Sequence, residues 1–225
     1  MPHLDQRLKV VARQVRCGTH ADIGSDHGHL LKALLASGRI ERGIAIENKT
    51  QPYANSQATL AGFNAEVRLA DGLAGLASGE ADCLSICGMG GESIVRILDA
   101  YPDRVPDIAI FQPNRKPELV RAWALRNQYN LVDETIAHGH WRYVILRFER
   151  PENRPQTHED PAYEDPAYEG LDQDAALLFG PHELRHRTDE FLTALREEQA
   201  YLASLNRLGE EAANRLAVIT RILAE

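Results

Sequence analysis

Ala21-Asp22-Ile23-Gly24-Ser25-Asp26-His27-Gly28-His29-Leu30 is the stretch that decides how this chain reads. Thr19 to Ile23 is short and apolar enough for a buried strand, and Leu30 to Ala36 favours helix at every position. Between them, Gly24 and Gly28 allow a tight turn and the close approach of a ligand to the backbone. Strand, glycine loop and helix in that order make the first half of a nucleotide-binding βαβ unit. The loop departs from the dinucleotide fingerprint at one point. Asp26 stands where a pyrophosphate binder carries its middle glycine, and Asp22 lies four residues earlier. Two carboxylates repel a diphosphate at close range but favour a nucleoside that bears positive charge. The loop therefore implies S-adenosylmethionine, which has a sulfonium, an ammonium and no phosphate, and disfavours a nicotinamide dinucleotide.

Composition sets the frame around that loop. At 225 residues, 44% of them hydrophobic, the chain can bury one full core and carry an appendage. No apolar run approaches the roughly 20 residues of a membrane helix, and the N-terminus lacks a signal-peptide core. Cys17, Cys83 and Cys87 make no disulfide framework, which points to a reducing cytoplasm. Without a C-x2-C partner they read as small buried hydrophobes, and no metal site is expected. Residues 1–150 hold 18 Lys and Arg against 17 Asp and Glu, a net of +1, whereas residues 151–225 hold 7 against 16, a net of −9. This break predicts a cofactor-binding domain over 1–150, an acidic linker over 151–170 and a helical region over 171–225. Any main grip on nucleic acid belongs to the first part, because an acidic tail repels phosphate.

Leu4, Leu8, Val11 and Val15 fall at helical spacing, with Arg7, Lys9, Arg13 and Arg16 on the other faces. Gly43 to Glu47 reads as a second buried strand. Glu47 lies 25 positions beyond Asp22, near the offset at which a carboxylate grips ribose hydroxyls. Glu66 to Ala70 forms a third strand, and Asp71-Gly72 follows in the ligand crevice, where Asp71 serves as an adenine contact, a helix cap, or both. A fourth strand, Asp82 to Cys87, runs into Gly88-Met89-Gly90-Gly91, where Met89 offers an apolar contact to a base. Asp107 to Phe111 leads into Gln112-Pro113-Asn114, whose amides are expected at the pocket mouth.

A helix from Pro117 to Gln128 has Arg115, Lys116, Arg121 and Arg126 on or beside it. Leu131 to Ala137 and Trp141 to Phe148 read as an antiparallel hairpin closing the sheet, with His138 and His140 as turn residues. That hairpin favours the methyltransferase variant of the doubly wound fold over a flavodoxin-like one. Glu159 to Tyr163 repeats at once as Glu164 to Tyr168, too polar to fold alone. Beyond it, Leu184, Phe191, Leu195, Leu202, Leu205 and Leu208 form one seam, and Leu216, Ile219 and Leu223 a second. The break at Gly209 predicts a coiled-coil-like helical hairpin.

Several of these motifs together resemble the bacterial tRNA (adenine-22, N1)-methyltransferases. They are Leu4-x-x-Arg7-Leu8, Asp22-Ile23-Gly24-Ser25-Asp26-His27-Gly28, Asp71-Gly72, Gly88-Met89-Gly90-Gly91, Gln112-Pro113-Asn114 and Phe179-Gly180-Pro181. The resemblance spans nearly the whole chain and departs from the usual family pattern at Glu47, where Asp is common. It implies an α/β class I (Rossmann-like) methyltransferase domain with a C-terminal helical hairpin. It also implies S-adenosylmethionine as donor and N1 of an adenine in the tRNA D arm as acceptor. Asp22, Gly24, Ser25, Gly28, Glu47, Asp71, Gly72 and Gly88 are then the expected cofactor residues. Asp26, His27, Arg7, Met89 and Asn114 face the acceptor, and Arg7, Arg13, Arg115, Lys116 and Arg121 are candidates for tRNA phosphate contact. A methyltransferase acting on another substrate, or a non-catalytic cofactor-sensing RNA-binding module, remains compatible with the same residues.

Overall fold

Alternating apolar strands and amphipathic helices over the first 126 residues can bury both strand faces only as a layered parallel sheet. The computed structural model describes residues 4–139, 142–152 and 164–224, and the side chain of Asp26 also lies outside the described residues. His140, Trp141 and the first copy of the tandem repeat fall outside them too. The chain divides into two compact units, Met1–Tyr163 and Glu164–Glu225.

The first unit runs α1 (Gln6–Gln14), β1 (Thr19–Ile23), α2 (His29–Ala36), β2 (Arg42–Glu47), α3 (Thr50–Leu60) and β3 (Ala65–Leu69). It continues with β4 (Cys83–Gly90), α4 (Gly91–Ala100), β5 (Ile108–Arg115), α5 (Pro117–Arg126), β6 (Asn130–His138) and β7 (Arg142–Glu149). The seven strands lie in the order β3-β2-β1-β4-β5-β7-β6. Strands β1 to β5 are parallel, and β7 runs antiparallel to both β5 and β6. The order reverses between β1 and β4, so the loops leaving their carboxyl ends diverge and open a crevice.

Both faces of the sheet are covered. On one, Val11 and Val15 with Leu30, Leu31 and Leu34 pack onto Ala45, Ile110 and Ile145. On the other, Phe111 meets the Trp123 ring edge at 6.2 Å and Phe148 at 5.9 Å, and Trp123 lies 5.3 Å from Tyr129. Each such fully buried side chain contributes about 1.5–3 kcal/mol. Strands β4 and β5 run further than expected, because Met89 pairs with Pro113 and Gly90 with Arg115 across two register shifts. Glycines and a proline at a strand end are tolerated where the ladder is already irregular.

The second unit is more than a hairpin. It contains α6 (Gln173–Phe179), α7 (Pro181–His186), α8 (Asp189–Ala203) and α9 (Glu210–Ala224). Phe191, Leu195 and Leu202 of α8 pack with Val218, Ile219 and Ile222 of α9, while α6 adds Ala175 and Ala176 to the same core. Leu205, expected in the seam, is 39% exposed in the connection after α8. Residues 164–170, expected as linker, belong instead to this unit. Asp165 is buried and accepts from the Ala167 amide at 2.9 Å, and Tyr168 and Leu171 pack against the helical core.

Candidate functional site

The crevice between the β1 and β4 loops is a cavity of about 760 Å³ within the first unit. Asp22 is the next-to-last residue of β1 and reaches its lining while only 3% exposed. Burial pushes its carboxyl above the usual carboxylate range, against the Ser85 hydrogen bond and the Arg7 charge, which both act the other way. The Ser85 hydroxyl donates to Asp22 Oδ1 at 2.5 Å, and His20 Nε2 lies 2.8 Å from the same hydroxyl oxygen. A file of three buried polar side chains thus runs under the site along β1 and β4.

Glycine geometry shapes the rim. Gly24 sits at φ +68°, and a Cβ there would stand 2.4 Å from Met89 Cε. Gly88 sits at φ +77°, with Arg7 Nη1 3.0 Å from where its Cβ would be. His27 takes φ +71° without being glycine, a costly conformation of the kind that concentrates at functional sites.

A second network fixes the wall. Arg7 on α1 donates from Nη1 to Gln112 Oε1 at 2.6 Å, and the Gly88 amide donates to the same oxygen at 3.1 Å. Gln112 Nε2 donates to Asn114 Oδ1 at 3.1 Å, and Asn114 Nδ2 closes the circuit on the Gly88 carbonyl at 2.7 Å. Gln112 therefore lies fully buried behind the wall and not at the pocket mouth. Its amide offers one acceptor and one donor in fixed directions, which suits it to hold Arg7 and the β4 loop together.

The cavity brings together Arg7, Asp22, Gly24, Ser25, His27, Gly88, Met89 and Asn114. Glu47 ends β2 buried, accepting from Ser56 Oγ at 3.4 Å, and does not line it. Gly28 and Gly72 are buried in their loops, and Asp71 is exposed beside a separate hollow with Arg96 and Tyr101. The backbone of Asp26 lies in the loop; its side chain lies outside the described residues. Sequence reasoning missed Arg142 and Tyr143, which begin β7 and line the cavity. The Arg7 guanidinium stands 5.8 Å from the Tyr143 ring centroid. Their signal was the hairpin itself, whose second strand starts at the crevice end of the sheet.

Among the candidate phosphate contacts, Arg13 and Arg115 are exposed, and Lys116 pairs with Glu92 at 2.9 Å. Arg121 requires a correction. Its side chain is 1% exposed on the inner face of α5 and bonds Glu134 of β6 through Nε, at 3.0 Å, and Nη2. A guanidinium enclosed in this way meets no phosphate.

A family model described as a methyltransferase domain matches residues 4–146. The tRNA (adenine(22)-N(1))-methyltransferase of Bacillus subtilis (strain 168) is 32% identical over 219 residues, covering 94% of this chain and 87% of that protein. The crystal structure of the B. subtilis m1A22 tRNA methyltransferase TrmK superposes with a TM-score of 0.84 at 27% identity, over 99% of this chain and all of that one. The structure of Streptococcus pneumoniae Sp1610, a m1A22 methyltransferase candidate in complex with S-adenosyl-L-methionine, superposes with a TM-score of 0.79 at 25% identity, over 98% of this chain and 100% of that one.

Proposed function

This chain belongs to the family of tRNA (adenine(22)-N(1))-methyltransferases, and on that premise we propose that it methylates N1 of adenine 22 in the D arm of tRNA with S-adenosylmethionine as donor. The observation that carries the reading is Asp22: a buried carboxylate, destabilised as an anion, at the wall of a cavity large enough for a nucleoside. A cationic ligand relieves that carboxylate, and a diphosphate does not.

The donor, when bound, supplies an electrophilic methyl group on a sulfonium. Asp22 attracts its positive charge, and the missing Cβ atoms at Gly24 and Gly88 leave room for Met89 and Arg7 at the rim. Glu47 and Asp71, which lie outside the cavity lining at the carboxyl ends of the adjacent β2 and β3, are the carboxylates proposed to reach its ribose and base. Ser25, Gly28 and Gly72 shape the loops that carry these groups. On the acceptor side, neutral adenine N1 already holds a lone pair, so no residue has to remove a proton before attack. Alignment and exclusion of water supply the acceleration, with the reacting atoms brought to about 3–3.5 Å. Arg7 and Asn114, held by Gln112, set the wall against which the base is oriented, and each Asn114 group keeps one hydrogen-bonding direction free. Met89 offers the base an apolar face, His27 lines the same cavity, and Asp26 is the carboxylate proposed for the acceptor. N1 lies on the pairing edge, so the base is turned out of its stack before it enters. Exposed Arg13 and Arg115, with Lys116, are the proposed phosphate contacts.

We place the reaction in the cytoplasm; among the described residues no helix is long and apolar enough to cross a membrane. The test is incubation with isotopically labelled donor and unmodified tRNA, followed by nucleoside mass spectrometry. Label in 1-methyladenosine at position 22 is expected. Label on another nucleoside, or none on any tRNA, overturns the reading.

A further inference from the structure

Cys17, His20 and Cys83 lie at the amino-terminal ends of the central strands and take no part in the cavity lining. Cys17 precedes β1, His20 lies within it, and parallel pairing sets His20 beside Cys83 at the start of β4. One ligand atom from each of the three residues lies within 4.8 Å of the other two. In a tetrahedral site with Zn–S of about 2.3 Å and Zn–N of about 2.0–2.1 Å, such atoms stand about 3.5–3.8 Å apart, so a closure of about an ångström completes the geometry.

His20 is fully buried, and its Nδ1 has no hydrogen-bond partner. The hydrogen bonds above it say which form that nitrogen takes. The Ser85 hydroxyl has one proton and donates it to Asp22, so His20 Nε2 is the donor to Ser85 and Nδ1 holds a lone pair. A buried acceptor without a donor is rare in folded proteins and calls for an occupant. The two thiols stand in the same place. Cys17 Sγ is tied back to the Thr19 carbonyl at 3.5 Å, and the half-buried Cys17 gives access from solvent to the buried Cys83.

We propose that Cys17 Sγ, His20 Nδ1 and Cys83 Sγ form a binding site for a borderline-soft divalent cation of the Zn²⁺ class, with a fourth position facing solvent beside Cys17. Two sulfur–metal bonds and one nitrogen–metal bond form, both thiol protons leave to solvent, and no oxidation state changes. Thiolates with an imidazole select such a cation over Mg²⁺ or Ca²⁺. The cation joins the segment before β1 to β4, so its role is to clamp the strands that carry Asp22 and the Gly88 loop. Nothing in this assignment depends on the proposed methyl transfer.

The test is a titration of the reduced, chelator-stripped, full-length protein with Co²⁺, read by absorption. One equivalent per chain is expected to produce thiolate-to-cobalt charge-transfer bands and tetrahedral d–d bands, both erased by Zn²⁺. Cys17→Ser and Cys83→Ser are each expected to lose the charge-transfer bands while keeping the far-ultraviolet circular dichroism of the stripped parent. His20→Gln is expected to weaken binding and shift the d–d bands. Absence of bands in the reduced parent overturns the site, as does their persistence in both serine variants. A chain that shows only a mass lower by two hydrogens before reduction, and no cobalt bands after it, also overturns the site and leaves a dithiol pair. Where a variant fails to fold, the titration of the unaltered protein decides alone.

Discussion

A buried ion pair and a buried carboxyl in the first unit are held in opposite ways. Arg121 and Glu134, with side chains 1% and 2% exposed, neutralise each other across α5 and β6. Asp22, equally enclosed, has a hydroxyl for its donor, and Arg7 acts on it only as a charge nearby. The first arrangement is complete and lies outside the lining of the crevice. The second is incomplete and lines it. A compensated buried charge belongs to the scaffold, whereas an undercompensated one at a cavity wall waits for a ligand of opposite sign. This contrast, more than residue type, separates scaffold from site here.

The largest expected effect falls on the completed pair. Arg121→Ala takes the guanidinium away from the buried Glu134 and should cost about 3–5 kcal/mol in denaturant melts, while Arg121→Met with Glu134→Leu should recover most of that loss. Methyl transfer by the folded double variant should match the parent. A large activity deficit there would return Arg121 to the site and break the contrast.

Asp22→Asn comes next and should behave in reverse. Donor binding should weaken by about 10- to 100-fold, the worth of a hydrogen bond to a charged group, as read by calorimetry. Because the carboxyl of the empty protein is raised by burial, its contribution to stability is present at low pH and fades as pH rises through the raised value. Asp22→Asn should therefore flatten that decline, and near neutrality the empty variant should melt no lower than the parent. In the parent, donor affinity should fall on acidification through the same range, since the cation prefers the ionised form. Gln112→Leu is expected to act more gently: it frees Arg7 and the Gly88 loop, and kcat/KM should drop about tenfold, roughly 1.4 kcal/mol. A loss confined to melting temperature would reduce Gln112 to a packing role.

The sequence was most legible where one residue type has one use. Gly43 to Glu47 is apolar on both faces up to its final acid, which a buried parallel strand explains, and Thr19 to Ile23 is buried in the same way although His20 and Asp22 occupy one of its faces. Gly24 and Gly88 stood out because glycine is the residue type that takes a positive φ without cost and lets a neighbour approach where a Cβ would stand. Arg121 and Gln112 were misplaced for a shared reason. Local spacing gives the face of a helix or strand, but the partner that makes a polar group fit for burial lies elsewhere in the chain. For Arg121 it is Glu134 on a different element, and for Gln112 it is Arg7, 105 residues away. The linker end was hidden too, since Asp165 and Tyr168 look solvent-loving until the helical core supplies their contacts. His20 and Cys83 share a site only through strand register, which no spacing along the chain encodes.

The smallest expected effect concerns the exposed cations. Arg13 and Arg115 stand in water at no desolvation cost, so each can meet a phosphate and release a counterion. Arg13→Ala and Arg115→Ala should each reduce the slope of log affinity against log salt by about one, with little change in donor binding or stability. The Arg121→Met, Glu134→Leu variant should leave that slope where it is, although it also removes an arginine. Filter-binding of tRNA across a salt series separates the two classes. A reduced slope in the double variant would mean that Arg121 escapes its partner in the complex. An unchanged slope in both surface variants would move the phosphate track away from α1 and the end of β5. Arg142 at the cavity rim would then be the next cation to test.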